Sequence, residues 1–309
     1  MADTEATERD QGKKYSGREA RAQERAQEAA RHTADMERRF KNEIARSTRE
    51  TRAFEGVQKI EVAGIVPAVS VVGEDSVTAV LENGRGRADL CDLTVLDFAS
   101  FTRPGGSYEH GTMAQEQALC AESYLYNVLT HEGKWYSENR RRNLNCNLFR
   151  NRALVVPKVR FEREGYHSYA DVIVAAAPNA RRARSEYHVS DETLLASMRD
   201  RIHFVLSVAD VLGNDKLVLG AFGCGVFGWD AETVAELTRE ELVSGSHVVS
   251  SVIFAIPDNR YDENLAHFQH VFASFPEHND APFGADAPEP EPTESNDTGE
   301  DEDDWHLYL

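Results

Sequence analysis

The chain has 309 residues, of which 53 are acidic and 34 are basic, giving a formal net charge of −19 at pH 7. This length fits one large domain or two modest ones, and the excess of acidic residues argues against a nucleic-acid groove. The absence of an apolar run of about 18 residues excludes a transmembrane helix, and the charged N-terminus does not resemble a signal peptide. The four cysteines lack C-x-x-C spacing, which argues against a zinc site or disulfide framework and favours a cytoplasmic location.

The N-terminal part of the chain is dense in charges of both signs and contains no proline. This composition predicts a long helix from about residue 18 to residue 52. Met36, Phe40 and Ile44 recur at a spacing of four, and they indicate the face by which the helix docks on the rest of the protein. A basic arm for nucleic acid is the alternative, but the interleaved glutamates disfavour it.

The C-terminal part has the opposite character, because residues 276–309 contain no Lys or Arg and hold five of the ten prolines. Such a segment buries too little apolar surface to offset its chain entropy, so disorder is expected. We therefore divide the chain into a charged helical arm, a single folded domain and an acidic disordered tail. These are residues 1–34, 35–275 and 276–309.

The middle of the chain alternates between strand and helix patterns. Apolar, β-branched runs predict strands covered on both faces at residues 69–72, 93–98, 171–176, 217–221 and 248–255. Helices are predicted after Gln115, after an N-cap at Ser190 or Asp191, after Asp230, and around residues 265–271. The second of these has an apolar stripe formed by Leu195, Met198, Ile202, Val205, Val208 and Leu212. The alternation predicts an α/β sandwich of about 220 residues.

Two of the predicted strands run directly into glycine-rich segments. We call residues 104–107 the first glycine loop and residues 223–228 the second glycine loop. Ligands in α/β sheets bind beyond the C-terminal ends of strands, and glycine lets backbone N–H groups approach phosphate closely. We therefore predict that the two loops grip a diphosphate, although neither matches a Walker A or dinucleotide fingerprint. The polar residues Gln115, Glu116 and Gln117 follow the first loop and can act on a sugar.

At these residues the chain resembles the microbial-type poly(ADP-ribose) glycohydrolases, a branch of the macrodomain superfamily. The family pattern is a strand ending Leu-Asn-Phe-Ala, a Pro-Gly-Gly-Gly loop and then Ala-Gln-Glu-Glu. The corresponding segments here are Leu96-Asp97-Phe98-Ala99, Pro104-Gly105-Gly106-Ser107 and Ala114-Gln115-Glu116-Gln117. Residues 175–179, 219–227 and 253–256 also look like family segments. The resemblance covers residues 35–275 and implies a macrodomain-like three-layer sandwich, with a central mixed sheet flanked by helices.

The resemblance also implies roles for individual residues. The two loops would surround the diphosphate of ADP-ribose, with Phe227 near a bound ribose and Asp97 contacting the distal ribose. The implied ligand-binding residues are Asp97, Gly105, Gly106, Ser107, Gly223, Cys224, Gly225, Val226 and Phe227. The implied catalytic residues are Gln115, Glu116 as the supporting glutamate, and Gln117 at the position of the family's general acid. The mechanism requires no metal and no cofactor.

Three of these positions depart from the family pattern, namely Asp97, Ser107 and Gln117. A carboxamide cannot shuttle a proton, and loss of a positioned acid typically costs about 10²–10⁴ in rate. His110, between the loop and Glu116, is a further candidate acid or base, although an exposed loop histidine is the simpler interpretation. The Arg140–Arg142 and Arg181–Arg182 clusters can attract a polyanion, but a solvated surface is the default interpretation.

Two functions remain open from the sequence. The first is an ADP-ribose-binding macrodomain that hydrolyses the O-glycosidic ADP-ribosyl bond of poly(ADP-ribose) with weakened activity, with Glu116 or Asp97 compensating for Gln117. The alternative is a non-catalytic ADP-ribose reader, in which Gln117 replaces the general acid. The expected partner is ADP-ribose or an ADP-ribosylated macromolecule, without membrane, and with nucleic acid only as an ADP-ribosylated substrate. A scaffold that works through its arm and tail is a third possibility.

Overall fold

The computed structural model describes residues 2–59 and 64–284, and the side chains from residue 19 onward within those ranges. Over these residues, seven strands form one sheet in the order β1-β4-β5-β3-β6-β7-β2. The strands are β1 (Arg52–Glu55), β2 (Ala68–Val72), β3 (Leu93–Phe98), β4 (Arg152–Arg163), β5 (Tyr166–Ala175), β6 (Lys216–Leu219) and β7 (Ser251–Ala255). The helices are α1 (Ala2–Glu50), α2 (Ser76–Asn83), α3 (Gln115–Ala121), α4 (Leu125–Leu129), α5 (Gly133–Arg142), α6 (Ala180–Tyr187), α7 (Asp191–Leu212), α8 (Ala231–Val243) and α9 (Asn264–Phe272).

The sheet is mixed, as the family resemblance implies. Strands β5, β3, β6, β7 and β2 are parallel to their neighbours in that order, whereas β4 runs antiparallel to both β5 and β1. The short strand β1 and the long strand β4 were not predicted. β4 contains Pro157 and several charged residues, and these interrupt the apolar run by which a strand is recognised in the sequence. Pro157 lies where the register shifts between Val156 and Val159, a position at which a missing backbone donor is tolerated.

Helices cover both faces of the sheet, which makes the domain a three-layer sandwich. Successive residues of one strand enter different cores: Leu154 joins the cluster that includes residues of α1, whereas Val155 joins the cluster that includes residues of α7. This alternation is expected for a strand buried on both sides. The predicted runs that form β3, β5, β6 and β7 are largely buried, as expected for strands covered on both faces. The expectation was wrong for residues 69–72, because β2 is an edge strand in which no residue is buried.

The strand β7 is shorter than the predicted run of residues 248–255. Its first predicted residues do not join the sheet because the N–H groups of Val248 and Val249 donate to Asp210 Oδ1, at 2.7 and 3.3 Å. That carboxylate, at the C-terminal end of α7, takes the place of a neighbouring strand. Regular pairing with β6 begins only at Ser251.

Helix α7 has the predicted N-cap, since the N–H of Thr193 donates to Ser190 Oγ at 3.3 Å. One residue of its predicted apolar stripe was wrong. Leu195 is 43% exposed, whereas Leu194 is fully buried. The helix is rotated so that Leu194, and not Leu195, lies on the same face as Met198 and Ile202.

Helix α1 is longer than predicted and passes residue 34 without a break, although Phe40 has non-helical angles (φ −121°, ψ 25°) that mark a kink. Met36 and Ile44 are buried, as the spacing of four predicts. Contacts with the domain begin before residue 34, because Arg25 Nε donates to the carbonyl oxygen of Gly111 at 2.7 Å. The boundaries of arm, domain and tail stay a prediction, and most of the tail, residues 285–309, lies outside the described residues.

In the ranges covered by the structure, no helix combines the length and the apolar character needed to cross a bilayer.

Candidate functional site

The site is built at the edge where the parallel strands β3 and β6 end. These strands are neighbours in the sheet, so the segments that leave them start side by side. The rings of Phe98 and Phe222 lie 5.4 Å apart, centroid to centroid. A Cβ on Gly220 would come within 3.0 Å of the Phe98 ring. The segments that lead into the two glycine loops therefore leave the sheet side by side, and the grip of the loops on a diphosphate stays a prediction.

The first glycine loop crosses closely over the N-terminus of α3. Gly105 and Gly106 both have φ of +61°, a region that L-residues rarely adopt. A Cβ on Gly106 would lie 2.7 Å from Gln117 Nε2 and 2.8 Å from Glu116 Oε2. Gly106 thus allows the loop backbone to contact both side chains directly. Ser107 follows as a half-buried residue that precedes the 3₁₀ turn Tyr108–His110.

Gln115 faces the strand and not the loop. Its Nε2 donates to the carbonyl oxygen of Leu96 at 2.8 Å, and its Oε1 accepts the N–H of Phe98 at 2.9 Å. A further bond joins Nε2 to Ser76 Oγ at 3.2 Å. These bonds fix the start of α3 to the end of β3, so Gln115 holds the two elements that carry Asp97 and Glu116.

Glu116 is a buried carboxyl group with one free oxygen. Glu116 is only 3% exposed, and its Oε2 accepts a hydrogen bond from the N–H of Ser100 at 2.8 Å. Among the described residues, Oε1 has no hydrogen-bond partner. Burial raises the pKa of Glu116 well above its usual value, and the charge of Asp97 raises it further. A raised pKa favours the protonated form of the carboxyl group, which is the form a general acid needs.

Asp97 is the second buried carboxyl group of the site. It is fully buried, and neither of its oxygens has a hydrogen-bond partner in the described part of the chain. Burial raises its pKa well above the usual value. Burial, and after it the charges of Glu116 and Asp97, raises the pKa of Cys120 and of Tyr136. Asp97 and Glu116 therefore form an acidic pair, behind the first glycine loop, that disfavours double ionisation.

Gln117 is held against the first loop. Its Nε2 donates to the carbonyl oxygen of Gly105 at 2.9 Å, and the residue is only 7% exposed. A protonated carboxyl could make the same bond, whereas an ionised one could not. Gln117 thus keeps the hydrogen bond of a neutral acid without a proton that it can transfer.

The second glycine loop packs on the segment that follows β5. Gly223 has φ of +86°, and a Cβ there would lie 2.8 Å from Trp229 Cδ1 and 2.9 Å from Ala177 Cβ. Trp229 Nε1 in turn donates to the carbonyl oxygen of Pro178 at 2.7 Å. The N–H of Arg181 donates to the carbonyl oxygen of Phe227 at 3.0 Å. These contacts fix the base of the loop to the start of α6.

The tip of the second loop is more open than its base. Gly225 is exposed, and a Cβ added there would meet nothing within 4 Å, while Val226 is 47% exposed. Cys224 is half-buried, and burial raises the pKa of its thiol. The tip therefore presents backbone and apolar surface, whereas the base is fixed by packing.

A third wall of the site was not predicted from the sequence. Phe149 stacks on Phe101, with ring centroids 4.5 Å apart and planes at 16°, and lies 6.2 Å from the ring of Phe227. It therefore bridges the segments that carry the two glycine loops. The only sequence signal is the asparagine-rich run at residues 143–147, since asparagine tolerates left-handed backbone angles. Such angles occur here at Asn145, Cys146, Asn147 and Phe149.

Arg201, on α7, holds this third wall from behind. It is 1% exposed, and its guanidinium donates to Asn151 Oδ1 at 2.6 Å, to the carbonyl oxygen of Phe149 at 3.0 Å, and to that of Ala176. Burial lowers its pKa to about 10. Nothing in the sequence distinguishes this arginine from those on the surface.

His110 lies outside this arrangement. Its side chain is 67% exposed, and its Nε2 lies 3.5 Å from Glu109 Oε1 on the surface of the loop. The interpretation as an exposed loop histidine is therefore the one that the structure supports.

The mixed sheet between two helical layers, with paired loops at its C-terminal edge, defines a macrodomain-like α/β protein. The model of the microbial-type PARG catalytic domain family matches residues 4–164, a little over half of the chain. The chain belongs to this family.

Solved structures of poly(ADP-ribose) glycohydrolases are similar to most of this chain. The poly(ADP-ribose) glycohydrolase of Thermomonospora curvata is 26% identical, with a TM-score of 0.67, over 80% of this chain and 98% of that one. A second structure of that enzyme contains the inhibitor ADP-HPD. The enzyme of Deinococcus radiodurans, in complex with ADP-ribose, is 28% identical with a TM-score of 0.66, over 76% of this chain and 98% of that one. A search of the curated proteins returned no match.

Proposed function

We propose that this protein binds ADP-ribose between its two glycine loops and hydrolyses O-glycosidic ADP-ribosyl bonds slowly. The observation that carries this proposal is the buried carboxyl pair, Asp97 and Glu116, directly behind the first glycine loop. Family membership and the ADP-ribose bound to the Deinococcus enzyme support the choice of ligand. The four free cysteines support a reducing compartment such as the cytoplasm.

The distribution of charge around the loops supports an anionic ligand. Residues 98–108, 172–185 and 216–229 contain no Asp or Glu, although 53 of the 309 residues are acidic. These segments include the ends of β3, β5 and β6 and both glycine loops. The backbone N–H groups there can approach a diphosphate without meeting an exposed carboxylate. Apart from the buried Asp97 and Glu116, this edge of the sheet is suited to phosphate.

Glu116 supplies the proton in the proposed reaction. Burial and the charge of Asp97 raise its pKa well above the usual value, which favours the protonated form, and its Oε1 has no partner among the described residues. The proton goes to the departing ribose oxygen while the bond between that oxygen and the anomeric carbon breaks. The resulting carboxylate keeps the hydrogen bond from the N–H of Ser100. Water, deprotonated by the same carboxylate, then adds to the anomeric carbon and restores the acid.

Two features limit the rate of this reaction. Under the correspondence inferred from the sequence, Gln117 stands where the family has its general acid, and its amide has no proton to give. Glu116 is also almost completely buried, so it is less accessible to a departing group than a residue that lines the pocket. We expect binding to be intact and turnover to be low.

The second candidate function is a reader that binds ADP-ribose without turnover. The observation that favours it is the bond from Gln117 Nε2 to the carbonyl oxygen of Gly105. This bond supports the first glycine loop, and hence the ligand site, with a side chain that is chemically inert. The two candidates share the ligand and differ only in whether the buried carboxyl pair acts on it.

Calorimetry with free ADP-ribose tests the shared part of both candidates. Binding is expected at or below millimolar ligand, and no binding at that concentration would refute the reader and the enzyme together. Release of ADP-ribose from poly(ADP-ribose) then separates the two. Low but measurable release by the wild type supports the enzyme, whereas binding without release supports the reader.

Three variants assign the chemistry in the release assay. Gln117→Glu should raise turnover about 10²–10⁴-fold, because it restores an acid at the loop. Its gain should be greatest at low pH, since the new carboxyl faces the Gly105 carbonyl and bonds to it only when protonated. Glu116→Gln should abolish the wild-type release, while Asp215→Asn, at an exposed position before β6, should not change it. Unchanged release by Glu116→Gln would show that the buried pair is not the acid.

A further inference from the structure

We propose that five arginines beside the first glycine loop form a second anion subsite, which binds the phosphates of the ADP-ribose unit next to the one held in the pocket. This inference rests on the proposed function. We call this group the arginine patch, and its members are Arg103, Arg140, Arg141, Arg142 and Arg150. All five are exposed.

The arginine patch is assembled from three segments that the fold brings together. Arg140, Arg141 and Arg142 form the last turn of α5. Arg140 Nη1 donates to the carbonyl oxygen of Thr102 at 2.5 Å, which places this turn beside Arg103. The N–H of Arg150 donates to the carbonyl oxygen of Asn143, the C-cap of α5, at 3.0 Å. The backbone positions of the five residues therefore belong to one region of the protein.

The patch is continuous with the ligand site. Arg103 directly precedes Pro104, the first residue of the first glycine loop. Phe101, two residues before Arg103, stacks on Phe149 with ring centroids 4.5 Å apart. Asn139, which directly precedes Arg140, donates from Nδ2 to the carbonyl oxygen of Phe101 at 2.9 Å. These contacts fix the patch to the same framework that holds the loop. We therefore expect a phosphate chain that leaves the pocket past the first loop to reach the arginines next.

The charge of the patch is not neutralised by the protein. In the described part of the chain, none of the five guanidinium groups forms an ion pair with a carboxylate. The neighbouring Arg152, by contrast, pairs with Glu55 at 2.7 Å and Glu138 at 3.3 Å. Residues 139–161 contain no Asp or Glu, in a chain whose net charge is −19.

Helix stability alone does not explain this arrangement. Cations in the last turn of a helix complement its dipole, an effect confined to that turn. Arg103 and Arg150 lie outside α5, so they gain nothing from it. Uncompensated cations repel each other, which favours an anionic occupant over a bare solvated surface.

The chemistry of the patch fits phosphate. Guanidinium groups bind phosphate oxygens through two parallel N–H bonds, and they remain charged at any physiological pH. An ADP-ribose polymer carries two phosphates in each unit, so the unit adjacent to the bound one presents the anions that the patch can hold. The competing occupant is the acidic segment at residues 276–309 of the chain itself, which has no Lys or Arg.

Binding of two ligands to the full chain tests this proposal. The dissociation constants of free ADP-ribose and of size-fractionated poly(ADP-ribose) are measured at 50 and 200 mM salt as the two assay conditions. The variant is Arg141→Gln/Arg142→Gln/Arg150→Gln, and the control is Lys134→Gln, an exposed cation at the opposite end of α5. Affinity for the polymer should fall about tenfold in the triple variant, with a salt slope smaller by about 1.4, since the unit offers two phosphates and each phosphate contact on a single strand contributes about 0.7. Affinity for free ADP-ribose should stay within about twofold of the wild type.

Three outcomes of the binding experiment would contradict the arginine subsite or the proposed function. Unchanged polymer binding in the triple variant would mean that the patch is solvated or is covered by the acidic segment, and it would overturn the proposal. Equal losses for polymer and free ADP-ribose would overturn it as well, because the arginines would then act on the pocket itself. Failure of the wild type to bind free ADP-ribose would refute the proposed function, a result distinct from both.

Discussion

Replacing Asp97 with asparagine should stabilise the protein at neutral pH. The side chain is fully buried, and both of its oxygens lack a partner among the described residues. Burial raises its pKa in the folded state above the value of the unfolded chain. Between those two pKa values the folded protein binds more protons than the unfolded chain. The free energy of unfolding therefore falls as pH rises, by up to about 1.4 kcal/mol per pH unit for one such group.

The stabilisation should depend on pH in a defined way. Below about pH 4, Asp97 is protonated in both states and the ionisation penalty is absent. Above it the penalty grows until the folded-state pKa is passed. Asparagine keeps a buried polar group but cannot ionise, so we expect Asp97→Asn to recover the ionisation penalty at pH 8, about 1.4 kcal/mol for each pH unit between the unfolded-state and folded-state pKa values. The melting temperature should rise by about 2–4 °C per kcal/mol.

Urea unfolding of the wild type and of Asp97→Asn at pH 5 and pH 8 measures this effect. The difference in unfolding free energy should be larger at pH 8, and the exposed-site control Asp215→Asn should show no such increase. A variant that is less stable than the wild type at pH 8, with the same pH dependence, would refute the reasoning. In that case Asp97 would have a stabilising partner that its surroundings do not show.

Two further substitutions test the elements that hold the site. Gly111→Ala places a Cβ 2.2 Å from the carbonyl oxygen of Ala22 at a φ of +74°, so it should displace α1 and speed hydrogen exchange at residues 19–34. The control Gly133→Ala, which meets nothing within 4 Å, should leave exchange there unchanged, and equal effects would contradict the role of the contact. Arg201→Leu removes the donor to two buried carbonyl oxygens and to the half-buried Asn151, and it should lower the unfolding free energy by on the order of 3 kcal/mol. A loss no larger than that of the exposed Arg199→Leu would show that the buried guanidinium stabilises little.

The sequence predicted those elements whose pattern is local. Strand β3 begins and ends at the predicted residues, because it is an uninterrupted apolar run that stops at a turn. Strand β4 escaped prediction since Pro157 and its charged residues are accommodated only by a register shift between two strands. The choice between Leu194 and Leu195 on α7 was also beyond reach, because the two neighbours are chemically identical and only tertiary packing fixes the rotation of the helix.

The candidate site was predictable to a similar extent. Glycine and carboxyl residues close to one another in the chain marked its position. The sequence could not show that the Gln115 amide turns toward β3, or that Phe149 reaches the loops, since these facts depend on pairs of residues far apart in the chain. Arg201 donates to groups about 50 residues away, and no local pattern records such a contact.

The packing of α1 on the first loop has a consequence for the order of events during synthesis. The hydrogen bond from Arg25 to Gly111 can form only after a further 86 residues have been synthesised. The bond from Arg39 to Glu162 requires a further 123 residues. Until then α1 has few apolar partners, and a helix of this composition gains little stability from itself. Closing a loop of that length costs about 4 kcal/mol of chain entropy, which only the finished sheet can offset. Helix α1 precedes the sheet in the chain but is therefore among the last elements to be ordered, and the rim of the ligand site near Gly111 is completed with it.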